Sequence, residues 1–232
     1  MKRLLVHVEG QTEETFVNEV LAPHLLDFGF EDVAVRIIGS ARMRSGIPAW
    51  QSARDDLVRQ IRQSTSCCHT TMVDYYRLPT SKARRWPGRV EANGVPYPNK
   101  AGTVESAILA AIEEELEMEL PPTRFIPFVL MHEYEGLLFS DCEKFARGIE
   151  RPDLAKDFQG IRDQFNTPEE INDSPETAPS KRVERLVTGY DKPLLGTLAA
   201  IEIGLEVIRD ECPHFNDWLT RLEELPRPHR HV

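Results

Sequence analysis

The sequence predicts an α/β fold: a mostly parallel four-stranded sheet flanked by helices, followed by a helical C-terminal region. Short apolar runs that suit buried strands alternate with segments whose apolar residues recur every three or four positions, as on helices. Strands that alternate with helices in this way usually form a parallel sheet with both faces covered. At 232 residues, the chain is long enough to bury a core of that size.

The four predicted strands all lie in the first 131 residues. The first follows the N-terminus directly and leads into a helix, for which Thr12 is a suitable N-cap and Pro23 a point of kinking. Two further helices carry apolar residues on one edge, and the second of them has a strongly acidic outer face. The predicted strands are residues 4–8, 33–38, 70–73 and 125–131, and the helices between them begin near residues 12, 50 and 103.

After Asp141, a residue suited to cap the next helix, the pattern turns helical. We therefore expect an α/β domain over residues 1–141 and a helical region over residues 142–232 that packs on it. Helices are predicted at residues 194–209 and 215–225. Within the first domain, residues 75–102 read as a long basic insertion broken by prolines and glycines, and loops of that length are usually functional or disordered.

Charge is unevenly distributed along the chain. The net charge is −10, yet residues 36–100 carry 12 Lys and Arg against 4 Asp and Glu. Local fields decide where a polyanion binds, so this basic middle segment is compatible with phosphate or nucleic-acid binding on one face. Arginines on solvated helix and loop surfaces would give the same count, and the sequence leaves both interpretations open.

Features of other protein classes are missing from the sequence. No apolar run approaches the ~20 residues needed to cross a bilayer, and the N-terminus does not resemble a signal peptide. The cysteines, Cys67, Cys68, Cys142 and Cys212, form no paired CxxC spacing. They are expected to be reduced thiols, so the sequence predicts a cytoplasmic protein without a membrane partner.

Acidic residues follow three of the four predicted strands: Glu9, Asp74, and the pair Glu133 and Glu135. Because the carboxyl ends of parallel strands meet at one edge, we expect these side chains to converge there. Carboxylate oxygens are the ligands that Mg²⁺ or Mn²⁺ prefers, and such a site activates water and polarises phosphate. The structural alternatives are a helix-start role for Glu9, an arginine or cap for Asp74, and an arginine partner for Glu133.

Basic residues near that edge are candidate contacts to a nucleic-acid backbone. Two lie in the loop after the second strand, and four surround Trp86, whose indole ring would stack on an unpaired base if it were exposed. Packing of Trp86 in the core is the alternative. The candidate nucleic-acid contacts are Arg42, Arg44, Lys82, Arg84, Arg85, Trp86 and Arg89.

Residues 8–17 (VEGQTEETFV) resemble the first motif of the Toprim (topoisomerase–primase) domain, in which a strand-ending glutamate precedes a glycine. The whole chain is similar to an uncharacterised bacterial family of the Toprim-like group, related to overcoming-lysogenization-defect nucleases. The phrases that match run in order over most of the chain: residues 74–76 (DYY), 132–141 (HEYEGLLFSD), 179–182 (PSKR) and 212–215 (CPHF).

The resemblance implies a Toprim-like fold and an Mg²⁺-dependent nuclease or phosphodiesterase, in a setting of phage or mobile-element defence. It also implies supporting roles for Glu13, Tyr76 and His132. The Toprim pattern has an Asp-x-Asp pair after the third strand, and Tyr76 stands where the second aspartate would be. The phenol group of tyrosine is a poor Mg²⁺ ligand, so the sequence leaves open whether the site holds one metal ion or two. The alternative is a non-catalytic nucleic-acid-binding or protein-interaction subunit of an ATPase-containing system.

Overall fold

The computed structural model describes residues 2–39, 46–171 and 177–226. In this part of the chain five strands form one parallel sheet, which confirms the predicted α/β class. The sheet order is β2-β1-β3-β4, and β5 pairs with β3 beyond the end of β4. The strands are β1 (Arg3–Val8), β2 (Asp32–Ile37), β3 (Cys67–Asp74), β4 (Phe125–Ile126) and β5 (Val129–Leu130).

Helices cover the sheet and make up the C-terminal region, as the sequence predicts. The first four are α1 (Gln11–Phe16), α2 (Ala22–Asp27), α3 (Trp50–Gln63) and α4 (Asn99–Leu116), with a π-helical stretch, Val17–Leu21, between α1 and α2. The C-terminal helices are α5 (Cys142–Gly148), α6 (Ala155–Arg162), α7 (Pro179–Leu186), α8 (Lys192–Ile203), α9 (Leu205–Glu211) and α10 (Pro213–Glu224). No helix in the described residues is long and apolar enough to cross a membrane.

The predicted fourth strand is interrupted in the middle. Pro127 has no N–H to donate to a strand ladder, and the backbone leaves β3 at this point. The Thr71 side chain fills the gap: its Oγ1 accepts from Phe128 N and donates to Phe128 O, both at 2.9 Å. The chain then rejoins β3 as β5, where Leu130 lies opposite Asp74.

Each face of the sheet packs on its own core. Alternate residues of β1, including Leu4 and Val6, lie in one core with Phe16 of α1 and Phe215 of α10. The other core joins the opposite face to α3 and α4, for example through Leu57. The C-terminal helices therefore complete one face of the sheet and share its core.

Several predicted boundaries are wrong, each for a local reason. The first helix begins at Gln11 with Gly10 as its N-cap, because Glu13 Oε2 accepts from Gly10 N at 3.1 Å. The predicted helix over residues 194–209 divides at Gly204, which has a φ of +86°. The basic insertion is not a simple loop: it contains two 3₁₀ turns, Tyr75–Arg77 and Glu91–Gly94, and buries Trp86 completely.

Candidate functional site

A cavity of about 320 Å³ opens at the carboxyl edge of the sheet. It lies at the C-terminal ends of β1 and β3, beside the residues that follow β5. The first residues of α1 and α8 also line it. Among the described residues, five acidic and two cationic side chains line it. The acidic residues are Glu9, Glu13, Asp74, Glu133 and Glu135, and the cationic ones are Arg77 and Lys192.

The structure thus brings together all four carboxylates that the sequence places at strand ends. Glu9 follows β1 directly, and Asp74 is the last residue of β3. Glu133 has an extended backbone after β5, while Glu135 lies in the 3₁₀ turn Tyr134–Ser140. All strands are parallel, so their carboxyl ends share one edge, and this topology brings distant parts of the sequence together.

Asp74 is buried among the other carboxylates of this cluster. Its Oδ1 accepts a hydrogen bond from Tyr134 N at 3.0 Å, and no cationic side chain in the described residues is hydrogen-bonded to it. Burial and then the carboxylates of Glu13 and Glu9 raise the pKa of Asp74 well above its usual range. A buried carboxylate with acidic neighbours costs folding free energy, and the backbone amide offsets only part of that cost.

The other carboxylates are also held through a single contact. Glu133 Oε2 accepts from the backbone N of Ser180, in the first turn of α7, at 2.9 Å. Glu13 is held in the same way by Gly10 N. Glu135 Oε1 pairs with Lys192 Nζ at 3.0 Å.

Glu9 is paired with a cation at the mouth of the cavity. Arg77 Nε donates to Glu9 Oε1 at 3.1 Å, and the Arg77 side chain is 49% exposed. The second oxygen, Glu9 Oε2, is buried and has no hydrogen-bond partner in the described residues. Burial raises the pKa of Glu9 even though the Arg77 guanidinium opposes the shift.

Burial, reinforced by repulsion between carboxylates, raises the pKa of several acids in the cluster. Burial, followed by the Glu9 carboxylate, raises the pKa of Glu13 from 4.5 to about 7. Burial also raises the pKa of Glu135 despite the Lys192 ammonium group. For Lys192 burial alone would lower the pKa, but the Glu135 carboxylate reverses the sign and raises it. The site therefore holds exchangeable protons at neutral pH.

The donor set suits a hard divalent cation. All five acids offer oxygen, which Mg²⁺ and Mn²⁺ prefer, and the buried Glu9 Oε2 has no hydrogen-bond partner in the part of the chain that the structure describes. In the side-chain positions of the described residues, however, no group of three or more His, Cys, Asp or Glu is arranged to hold a metal ion. The chemistry of the donors fits a metal, and binding one would require the carboxylates to reorient within the cavity.

Two predicted supporting residues are not among the described residues that line the cavity. Tyr76 is half-buried, and its backbone N donates to His132 O at 3.0 Å. His132 has a φ of +63°, and its ring packs edge-on against Tyr75. Glu13, the third supporting residue, does line the cavity.

The predicted role of Trp86 in stacking on bases is wrong. Its side chain is fully buried, its Nε1 donates to Pro48 O at 3.0 Å, and its ring meets Trp50 edge-on. Arg89 is also removed from the surface, with 7% exposure, and its guanidinium donates to Tyr75 O and Tyr75 Oη. Trp86 therefore holds the insertion against the start of α3, and Arg89 holds it against the turn that follows β3.

The remaining cations of the insertion stay on the surface. Lys82, Arg84 and Arg85 are exposed. Arg84 Nη2 donates to Ile47 O at 3.1 Å, and the preceding residue, Gly46, lines the cavity. This turn therefore packs on the segment that borders the acidic site. Arg42 and Arg44 lie outside the described residues.

Sequence reasoning does not single out Arg77, and it notes Lys192 in a family-like phrase without assigning it a role at the site. Arg77 lies three residues after Asp74, and the 3₁₀ turn Tyr75–Arg77 brings it back to the cavity. Predicting that turn from the sequence would have pointed to Arg77. Lys192 offers no such local signal, because it reaches the cavity only through the packing of α8 against α1.

Comparison with known proteins gives one family and one solved structure. The sequence matches the model of DUF4276, described as a domain of unknown function, over residues 8–223. The C-terminal region of the OLD protein of Xanthomonas campestris pv. campestris aligns with 94% of this chain and 94% of its own, at 17% identity and a TM-score of 0.38. A likeness of that strength supports no inference about chemistry, so the Toprim resemblance stays a prediction. A search of curated proteins found no match.

Proposed function

This chain belongs to the DUF4276 family, and we propose that it is a divalent-metal-dependent nuclease or phosphodiesterase acting on nucleic acid. The observation that supports the proposal is the gathering of five carboxylates around one cavity, which two cationic side chains of the described residues also line. Burying carboxylates next to one another destabilises a fold unless something compensates them. A cluster of buried carboxylates at the edge of a sheet lowers the free energy of unfolding. Such a cluster is more typical of a functional site than of a structural one.

Glu9, Asp74, Glu133 and Glu135 are the residues that would hold Mg²⁺ or Mn²⁺. When bound, such an ion polarises a phosphate and lowers the pKa of a coordinated water. In this proposal Asp74, Glu133 and Glu135 would keep their present contacts through one oxygen and offer the other to the ion, and Glu9 would offer Oε2. Tyr134 N and Ser180 N keep Asp74 and Glu133 in place.

The other polar residues of the cavity have roles that follow from their positions. Arg77 at the mouth is exposed enough to leave Glu9 and donate to phosphate oxygens, as guanidinium groups readily do. Glu13, with a pKa of about 7, is suited to accept or release a proton at neutral pH. The exposed turn of Lys82, Arg84 and Arg85 would hold the flanking phosphates of the substrate.

The proposal is tested by assaying hydrolysis of plasmid DNA and of RNA with Mg²⁺ or Mn²⁺. We expect Asp74→Asn and Glu9→Gln each to reduce hydrolysis by about a hundredfold or more, because each removes a charge that the ion requires. Glu119→Gln, which changes an exposed acid outside the cavity, is the matched control and should be fully active. Hydrolysis that survives both site variants would contradict the proposal.

One observation favours a second function, a non-catalytic nucleic-acid-binding or protein-interaction subunit. Arg77 and Lys192 already pair with Glu9 and Glu135, so the protein's own cations neutralise part of the cluster. This alternative predicts no cleavage with any divalent ion, together with salt-sensitive binding of nucleic acid. The assay above separates the two functions, provided that binding is measured on the same preparations.

A further inference from the structure

Helix α7 packs beside the acidic cavity. Its first turn contacts the candidate site directly, since Ser180 N donates to Glu133 Oε2 at 2.9 Å and Glu133 lines the cavity. The inner face of the helix is buried through Pro179, Ser180 and Val183. Packing and a contact to one of the candidate carboxylates therefore fix α7 next to the site.

The outer face of α7 is basic. Three of its eight residues, Lys181, Arg182 and Arg185, are cationic, and one, Glu184, is acidic. Lys181 and Arg185 are four residues apart, which places them on the same side of the helix. The Lys181 side chain is 51% exposed, and Arg185 is also exposed. An excess of positive charge thus lies on the surface of a helix whose first turn contacts the cavity.

The rest of the described chain does not balance this charge. Lys181 Nζ pairs with Glu184 Oε2 at 2.6 Å, but an ion pair at the surface stabilises little. Arg185 has no ion pair in the described residues, and burial followed by the Arg185 guanidinium lowers the pKa of Arg182. Like charges at this spacing repel each other, and a bound anion would relieve the repulsion.

Other arginines of the C-terminal region are arranged differently. Three of the other helices each carry an arginine that pairs with an acid: Arg147 with Glu202, Arg162 with Glu211, and Arg209 with Glu223. In a chain with a net charge of −10, acids are plentiful. An exposed arginine that has no acidic partner in the described residues is therefore available to an external anion.

The anion that fits this face is a nucleic-acid backbone. A guanidinium group matches the oxygens of a phosphate, and cations spaced along one helix face suit a row of phosphates better than a single small anion. Arg185 lies five residues after Ser180, which corresponds to about 7.5 Å along the helix axis. A strand with one phosphate in the cavity would therefore bring neighbouring phosphates alongside α7.

We propose that Lys181 and Arg185 of α7 hold the phosphate backbone of the nucleic acid on the side of the cavity where Glu133 lies. The inference rests on the proposed function, which supplies the nucleic acid as ligand. It adds a second backbone contact to that of the turn containing Lys82, which packs on the segment that borders the cavity at Gly46. The C-terminal region then binds substrate as well as completing the fold.

The test is binding of fluorescein-labelled single-stranded DNA, duplex DNA and RNA, measured by fluorescence anisotropy in EDTA so that no metal-dependent cleavage occurs. For each oligonucleotide that the wild type binds, we expect the double variant Lys181→Ala, Arg185→Ala to bind about tenfold more weakly. The slope of log K against the logarithm of salt concentration should be less steep by about 1 to 2.

Two controls accompany this variant. Lys156→Ala with Arg221→Ala removes two exposed cations from α6 and α10 and should bind as the wild type does. Lys181→Arg with Arg185→Lys keeps both charges and should retain most of the affinity. Thermal unfolding of all three double variants should match that of the wild type, because the altered side chains are exposed.

Three results would overturn the proposal. The first is wild-type affinity and salt dependence in the variant Lys181→Ala, Arg185→Ala. The second is an equal loss of affinity in that variant and in the α6 and α10 control. The third is binding of a polyglutamate peptide to α7 as tightly as of the oligonucleotides, which would assign the face to an acidic protein.

Failure of this inference is distinguishable from failure of the proposed function. If the α7 variant loses affinity while the wild type cleaves neither DNA nor RNA with Mg²⁺ or Mn²⁺, the inference stands and the nuclease function is wrong. If the wild type cleaves and the α7 variant binds normally, only the inference is wrong. A wild type that binds no oligonucleotide would contradict both.

Discussion

At Glu13 the crowding of carboxylates should be measurable as a dependence of stability on pH. The pKa in the folded chain is about 7, against 4.5 for an unperturbed glutamate, so the folded state binds more protons between these values. The free energy of unfolding should therefore fall as the pH rises through this window, by an amount on the order of 3 kcal/mol. Urea unfolding in EDTA at pH 5.5 and pH 8.0 should measure about 2 kcal/mol of this change, because part of the window lies below pH 5.5.

The control for this pH effect is Glu13→Gln, which removes the titrating group but keeps an oxygen to accept from Gly10 N. In that variant the loss of stability between the two pH values should be smaller by the contribution of Glu13, while Asp74, Glu9 and Glu135, whose pKa values are also raised, still contribute. An equal loss in both proteins would assign the dependence to other groups, such as His214, whose pKa is also raised, by Glu105 against the effect of burial.

Single residues differ in how well the sequence predicts their roles. Glu9 and Asp74 could be placed because each directly follows a strand, and a parallel sheet brings strand ends together. Trp86 and Arg89 could not, because their burial depends on how the insertion folds back over α3 and α4. A cluster of cations around a tryptophan looks the same in the sequence whether the ring is exposed or buried.

At the scale of elements, the contact between α5 and α8 fixes the helix that carries Lys192. A Cβ on Gly148 would lie 2.6 Å from Ala199 Cα, so Gly148→Ala must push the two helices apart. We expect a loss of about 1–3 kcal/mol in the free energy of unfolding, as for other overpacked contacts. Urea unfolding measures this loss.

Gly160→Ala is the matched control, because Gly160 lies in α6 and no atom is within 4 Å of its added Cβ. This variant should gain about 0.5–1 kcal/mol from the higher helix propensity of alanine. Equal effects of the two substitutions would show that α5 and α8 are not in close contact.

The elements themselves follow from the sequence more reliably than their ends do. Apolar runs and helical spacing suffice for the first three strands and for the helical C-terminal region. The break at Pro127 and the division at Gly204 are local backbone effects, and both residues are visible signals. Apolar periodicity continues across both positions, which is why the pattern alone predicts one strand and one helix there.

For the whole molecule, the basic middle segment is less positive than its composition indicates. Arg54 pairs with Glu115 and Arg77 with Glu9, and both acids come from outside the segment. These ion pairs remove part of the field that the charge count predicts. Among the described residues of the segment, Lys82 and Arg85 are exposed cations of the turn whose Arg84 donates to Ile47 O.

Binding of nucleic acid should therefore depend on that turn. The double variant Lys82→Ala, Arg85→Ala should bind nucleic acid more weakly. The slope of log K against the logarithm of salt concentration should be less steep by about 1 to 2, because binding with fewer phosphate contacts releases fewer counterions. Lys156→Ala, which removes an exposed cation from α6, should leave the slope unchanged. The same slope in both proteins would place the binding surface elsewhere.

The cavity is a property of the whole chain. Glu9 and Asp74 come from the strands, whereas Ser180 and Lys192 come from C-terminal helices. The predicted regions 1–141 and 142–232 thus share the site as well as a core. Sequence patterns report on single elements, so the contribution of α7 and α8 to the site was not predictable.

The most direct test of the central claim is anomalous diffraction from crystals soaked with Mn²⁺. We expect a manganese peak in the cavity, within coordination distance of Glu9, Asp74 and at least one of Glu133 and Glu135. A cavity without such a peak, in which Arg77 still pairs with Glu9 and Lys192 with Glu135, would contradict the claim that these carboxylates form a metal site.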